Sequence, residues 1–185
     1  YLEDEMVPDL TALGFACEIY PNPRQDAGPF LVARRHEGDD LPAVMTFGHG
    51  DVVAGYDGQW DNDMNPWEIT KIGNRWYGRG TADNKGQHTI NIADLRTVLE
   101  IRESLGFNVI FLVEMGEERG SPGLKDFCTA HKDLFQADVF IASDGPRIHP
   151  EKPTIFMGSR GVFNFIMRLD IHDGGHHSGN WGGLL

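Results

Sequence analysis

The chain has 185 residues, 40% of them hydrophobic, with 28 acidic against 16 basic side chains and a formal charge of −12. That length and apolar content are enough for a substantial core, while the acid excess argues against nucleic acid or an anionic membrane surface as partner. No apolar run reaches membrane-spanning length and no signal peptide is visible. Cys17 and Cys128 lack CxxC spacing, so they offer no thiolate zinc site and demand no disulfide; a reducing, cytoplasmic compartment is the expectation.

In chain order, Leu2, Met6, Leu10 and Leu13 recur at near-helical spacing up to Gly14, and Pro8 points to a short helix or a helix end. Residues 15–20 read as a strand and 21–28 as a loop. Strands are expected at 30–35 and 43–47, joined through Glu37 to Asp40. The second of these is almost unbroken apolar, as in a strand buried on both faces. Residues 54–74, rich in Gly, Asp, Asn and Trp, read as an ordered loop, with a short strand at 75–77 entering Gly78. The strongest helix covers 84–103, carries Ile90, Ile92, Leu95, Val98, Leu99 and Ile101, and is stopped by Gly106. Buried strands at 108–113 and 137–142 enclose a short helix at 124–131. Strands alternating with helices predict an α/β fold with a largely parallel sheet flanked by helices. After Pro150 the texture changes: strands are expected at 154–157 and 162–171, the latter alternating like a half-exposed antiparallel strand. A boundary near Gly158 divides a domain at 1–158 from the beginning of a smaller α+β one at 159–185.

The residues that carry chemistry stand where these strands run out. His49 and Asp51, two apart after a buried strand, face one way if the extended backbone continues. An imidazole that binds metal through one nitrogen needs its other N–H held, and Asp51 can hold it. Asp83 precedes the long helix, where it can cap the helix or bridge two cations. Glu117 and Glu118 are adjacent acids at a strand end, which repel unless a cation or a shared proton relieves them. One can bind metal while its neighbour takes a proton from a water that the metal acidifies. Asp144 taken alone is an ordinary turn aspartate. In conjunction, His49, Asp83, Glu118 and Asp144 follow successive strand-like segments, and ligands of open α/β sheets gather at the carboxyl ends of strands. His88 falls one turn inside the helix after Asp83; with His36, His131, His149, His172 and His176 it reads as a surface or core histidine.

Taken together, five stretches resemble the M20 family of metallopeptidases and amidohydrolases: Gly-His-Gly-Asp-Val-Val at 48–53, Gly-Arg-Gly-Thr-Ala-Asp-Asn-Lys-Gly at 78–86, Glu-Met-Gly-Glu-Glu-Arg-Gly-Ser at 114–121, Ser-Asp at 143–144 and His-Ser-Gly-Asn-Trp-Gly-Gly at 177–183. They lie in family order. The resemblance implies two divalent metal ions, zinc first with manganese or cobalt as alternatives. His49 and Asp144 would bind one ion, Glu118 the other, and Asp83 would bridge them. Asp51 would orient His49, and Glu117 would be the general base and then the acid. A cis peptide after Asp83 is implied as well. His177 would reach the reacting carbonyl from the lid domain, in several members across a subunit boundary, and stabilise the oxyanion. The implied reaction is hydrolysis of a peptide or amide bond in a small carboxylate-bearing substrate, a dipeptide or an acylated amino acid. The full-length protein would be a homodimer through its lid.

The family's last metal ligand is a histidine in a later segment, beyond residue 185. The expectation is therefore a truncated piece of a longer protein, weak or inactive alone. Two other readings are an N-acyl amino acid deacylase of the same family and a silent homologue that binds peptide or metal.

Overall fold

The computed structural model describes residues 1–149, 151–158 and 161–169. The chain forms two compact units, Tyr1–Pro146 and Arg147–Leu185. The break falls ahead of the boundary expected near Gly158.

In the first unit a single π turn at Leu2–Met6 runs into α1 (Val7–Ala12). Pro8 sits in the first turn of α1, where a missing N–H leaves no helical bond unmade. Leu2, Met6 and Leu10 are buried, and Gly14 closes the segment with φ +78°. The strands that follow are β1 (Ala16–Tyr20), β2 (Phe30–Arg35), β3 (Ala43–His49), β4 (Thr70–Ile72) and β5 (Arg75–Tyr77). Then come α2 (Lys85–Arg102), β6 (Asn108–Glu114), α3 (Leu124–Ala130) and β7 (Val139–Ala142).

The main sheet has the order β1-β2-β6-β3-β7. The β1–β2 and β2–β6 pairs are antiparallel, and β6–β3 and β3–β7 are parallel. The α/β class read from the sequence is the one observed, with β6, β3 and β7 as its parallel part. A parallel β3–β6 pair needs a crossover, which α2 supplies. On one face α1 and α2 pack over Ala33, Val109, Phe111 and Val113. On the other, Phe127 of α3 stacks on Phe30, ring centroids 4.4 Å apart, above Val32, Ile110 and Leu112. The register places His49 beside Glu114, so β3 and β6 end together.

Several sequence expectations change. Within 54–74 the chain forms β4, which pairs with β5 as a small hairpin; three residues of strand give too short an alternation to detect. Helix α2 ends at Arg102 because Glu103 turns left-handed at φ +61° and donates its N–H to Leu99 O, three residues before Gly106. β3 is half-buried over most of its length and fully buried only at Gly48 and His49. β7, read as a buried strand, is exposed, with Val139, Phe140 and Ile141 each near or above half exposure. It is the last strand of the sheet, and a sheet edge lacks the second neighbour that burial requires. No strand is found at 154–157 or among the described residues of 162–171, of which 170 and 171 lie outside the description. An apolar run becomes a strand only when another strand accepts its backbone bonds.

Candidate metal centre

His49 closes β3 and is fully buried. Its neighbour is glycine for a steric reason. A Cβ at Gly48 would overlap the His88 ring and Asn84 Oδ1 on the first turn of α2. This close approach lets Asn84 Oδ1 accept the His49 backbone N–H at 3.0 Å. The imidazole then lies between two sets of partners. Nδ1 faces the Asp51 carbonyl oxygen at 3.0 Å and Asp51 Oδ1 at 3.3 Å. Nε2 faces Asp83 Oδ1 at 2.9 Å, Asp144 Oδ2 at 3.5 Å and Glu117 Oε2 at 3.8 Å.

That geometry is itself a test of whether a cation fits. If Nδ1–H donates to the Asp51 carbonyl, Nε2 presents a lone pair to three carboxylates. Only a proton or a metal ion between them relieves the repulsion. Burial pulls the His49 pKa down, but the Asp51 carbonyl and the charges of Asp144, Asp51 and Asp83 outweigh it, and the net direction is up. Two overlapping trios have donor atoms mutually within 4.8 Å: His49, Glu117 and Asp144, and His49, Asp83 and Glu118. One imidazole nitrogen and several carboxylate oxygens suit Zn, Mn or Co.

Different elements bring these acids together. Asp83 comes from the turn before α2, and its bond to Asn84 is cis. Glu117 and Glu118 open the 3₁₀ turn Glu117–Arg119 that follows β6. Asp144 lies just beyond β7. Burial is the largest influence on the Glu117 carboxyl and pushes it up; His49 pulls it down, Asp144, Glu118 and Asp83 each add a lesser push, and the net direction is up. Asp144 is also raised, by burial and then by Asp83.

The structure thus gathers His49, Asp51, Asp83, Glu117, Glu118 and Asp144 in one place. His177 lies outside the described residues. Asp51 does more than the sequence suggested. Its nearest contact to the imidazole is through its backbone oxygen, while its carboxylate accepts the N–H of Glu117 on Oδ1 and of Glu118 on Oδ2, both at 3.1 Å. One side chain therefore fixes the turn that presents both glutamates.

Other members of the site were not singled out from sequence. Glu114 is buried, its carboxyl pushed up by burial and by Asp51 and Glu117, and Ser121 Oγ donates to it at 2.7 Å, closing the loop around Glu117. Asn84 is fully buried. His88 is a core histidine whose pKa falls to about 4, through burial first and the charge of His49 second, so it is neutral around pH 7. The motif spacing contained no signal for these roles: Asn84 and His88 depend on neighbours brought in by β3, and the Glu114–Ser121 bond depends on how the loop after β6 folds back.

A buried imidazole facing carboxylates at the carboxyl ends of parallel strands defines an α/β protein built around a divalent-metal site. Residues 45–162 match the model of Peptidase family M20/M25/M40, and the chain belongs to that family. It is 33% identical over 160 residues to a mouse Beta-Ala-His dipeptidase, covering 85% of this chain and 32% of that protein. It is also 33% identical over 169 residues to a cysteinylglycine-S-conjugate dipeptidase of Corynebacterium striatum, covering 90% and 36%. Among solved structures, human carnosine dipeptidase 1 superposes with a TM-score of 0.69 at 28% identity, covering 77% of this chain and 32% of that one. The chain spans about a third of the length of these relatives.

Proposed function

We propose that the protein carrying this chain is a metal-dependent peptidase that hydrolyses the peptide bond of small, carboxylate-bearing substrates, dipeptides first among them. The observation that carries this reading is the buried His49 Nε2 turned towards Asp83, Asp144 and Glu117, within two donor trios that share the imidazole. The names of the relatives, dipeptidases acting on Beta-Ala-His and on cysteinylglycine conjugates, support the substrate class. A cytoplasmic homodimer is part of the same proposal.

In this reading His49 and Asp144 would hold one ion and Glu118 a second, with Asp83 as the ligand common to both. Divalent cations at such a site polarise the scissile carbonyl and acidify the attacking water. The chain's own residues do the rest. Asp51 fixes the His49 tautomer through its carbonyl and the glutamate turn through its carboxylate. Glu117 accepts the water's proton on its carboxylate and returns it to the leaving amine nitrogen. Its upward shift is in the direction a proton acceptor near neutral pH requires. A part for His177, as a donor that would steady the oxyanion, belongs to the same proposal.

The test uses the intact protein: metal content, and turnover of a dipeptide panel beside acylated amino acids, for wild type and Glu117→Ala. Loss of the base should lower kcat by about 10²–10⁴-fold. Undiminished turnover in the variant would remove Glu117 from the mechanism, and preference for acylated amino acids would shift the reading to a deacylase.

A further inference from the structure

We infer that Asn84 and Gln87 are positioning residues: an amide cross-tie that clamps the loop bearing Asp144 onto the first turn of α2, and so sets the separation between Asp144 and Asp83. The inference rests on the proposed metal site but concerns residues to which that reading gives no part.

The side chain of Asn84 uses its full donor capacity without exposure to solvent. Oδ1 accepts the His49 N–H at 3.0 Å, one amide hydrogen goes to Ser143 O at 2.6 Å, and the other goes to Gln87 Oε1. Gln87 then extends the tie, its Nε2 donating to Gly145 O at 3.2 Å. The carbonyls on both sides of Asp144 are thereby held by two side chains one helical turn apart. Asp144 stands at the end of the exposed edge strand β7, where neighbouring structure imposes least order. The segment is also tied to β3, where Ser143 donates its N–H to Phe47 O at 3.3 Å and Asp144 faces His49, but among the described residues its hydrogen bonds to the start of α2 are those of Asn84 and Gln87. Asp83, by contrast, directly precedes Asn84 in the chain. A single rigid amide, buried and anchored on β3 through His49, therefore relates three of the proposed ligands. Satisfied polar groups of this kind resist displacement, because breaking one bond leaves a buried partner unpaired.

The role differs from general support of the fold. The tie crosses between α2 and the end of β7, whereas the hydrophobic packing of α2 lies further along the helix, at Ile92, Leu95, Val98 and Leu99. Removing the Gln87 amide should therefore loosen Asp144 while the helix stays seated.

The experiment compares Gln87→Met in the intact protein with wild type and with Thr89→Ala, an exposed site on the same helix. Gln87→Ser serves as a second variant if methionine is not accommodated. Cobalt(II) titration should show about tenfold weaker binding of one of two ions, the usual order for loss of a group that orients a ligand, with an altered visible absorption band and the other ion unaffected. In ion-free protein, amide exchange over residues 139–146 should be faster than in Thr89→Ala. Unchanged exchange, or faster exchange with both cobalt affinities and the spectrum unchanged, overturns the positioning role. If wild type takes up no cobalt, the metal reading fails instead, and exchange in ion-free protein still decides whether the tie exists.

Discussion

The sheet carries carboxylates at both ends, and they live in opposite circumstances. At the end where β2 stops and β6 begins, Glu37 is almost fully covered and completely partnered. It accepts the N–H groups of Leu105 and Gly106 at 2.8–2.9 Å and pairs with Arg35 Nε at 2.9 Å. Burial raises its pKa, but these bonds and the Arg35 charge prevail, and the net shift is downward. At the other end, Glu117 and Asp144 face further acids across His49, and their pKa values rise. The same functional group is a structural cross-link in one place and a reservoir of unspent electrostatic energy in the other. The difference lies in the partners: backbone N–H groups and a guanidinium against other anions. A carboxylate cluster that the fold leaves unneutralised is the signature of a site that waits for a cation.

The contrast predicts a division of effects. Addition of a divalent cation to the ion-free intact protein should raise its unfolding free energy by about 4 kcal/mol at a thousandfold excess over Kd. Most of that gain should vanish in Asp83→Ala and persist in Glu37→Gln, as followed by denaturant titration with and without ion. A cation that stabilises Asp83→Ala as much as wild type would mean that the acids at the β3 end are no different in kind from Glu37.

The converse variant should act without any ion. Glu37→Ala leaves the buried Leu105 N–H without an acceptor and takes one from Gly106 N–H and Arg35 Nε, while Arg35 Nη1 keeps Leu13 O, at a cost of about 2 kcal/mol in stability. Its affinity for cobalt(II) should equal that of wild type. The sign with pH also follows. The folded-state pKa of Glu37 lies below its unfolded value, so its contribution is present above about 4.5 and is lost as pH falls through the folded value. Stability curves for wild type and Glu37→Ala should therefore converge in acid.

The sequence exposed one end of the sheet far better than the other. His49, Asp51, Glu117, Glu118 and Asp144 lie at or just after the ends of expected strands and Asp83 just before the long helix, so their conjunction, with the family-like motifs around them, points to one rim. Glu37 was read only as part of a connection, because its partners Leu105 and Gly106 lie 68 and 69 residues away and bond through their backbone. Asn84, 59 residues from Ser143, was hidden for the same reason. Side chains that recognise backbone leave no complementary residue type in the sequence. The apolar run of β7 misled in the opposite way. Composition reports the capacity to be buried, whereas burial depends on where the strand falls in the sheet order.

The smallest effect tests the cost of keeping Asp144 ionised in this setting, through burial first and the charge of Asp83 second. Asp144 and Glu117 have folded-state pKa values above their unfolded ones, so in ion-free protein they oppose folding once ionised. This penalty is absent below the unfolded values, near 4, and grows as pH rises through the folded ones. Replacing Asp144 by asparagine removes one charge and keeps the shape. Because the Asp144 side chain is only partly covered and solvent screens both its burial cost and its repulsion from Asp83, the gain should be only about a few tenths of a kcal/mol at neutral pH, fading towards pH 4. The same variant should bind one ion more weakly. Greater stability without the ion together with poorer retention of it would show that Asp144 is kept ionised for the sake of the metal; lower stability at neutral pH would place Asp144 with Glu37, among the carboxylates that hold the fold together.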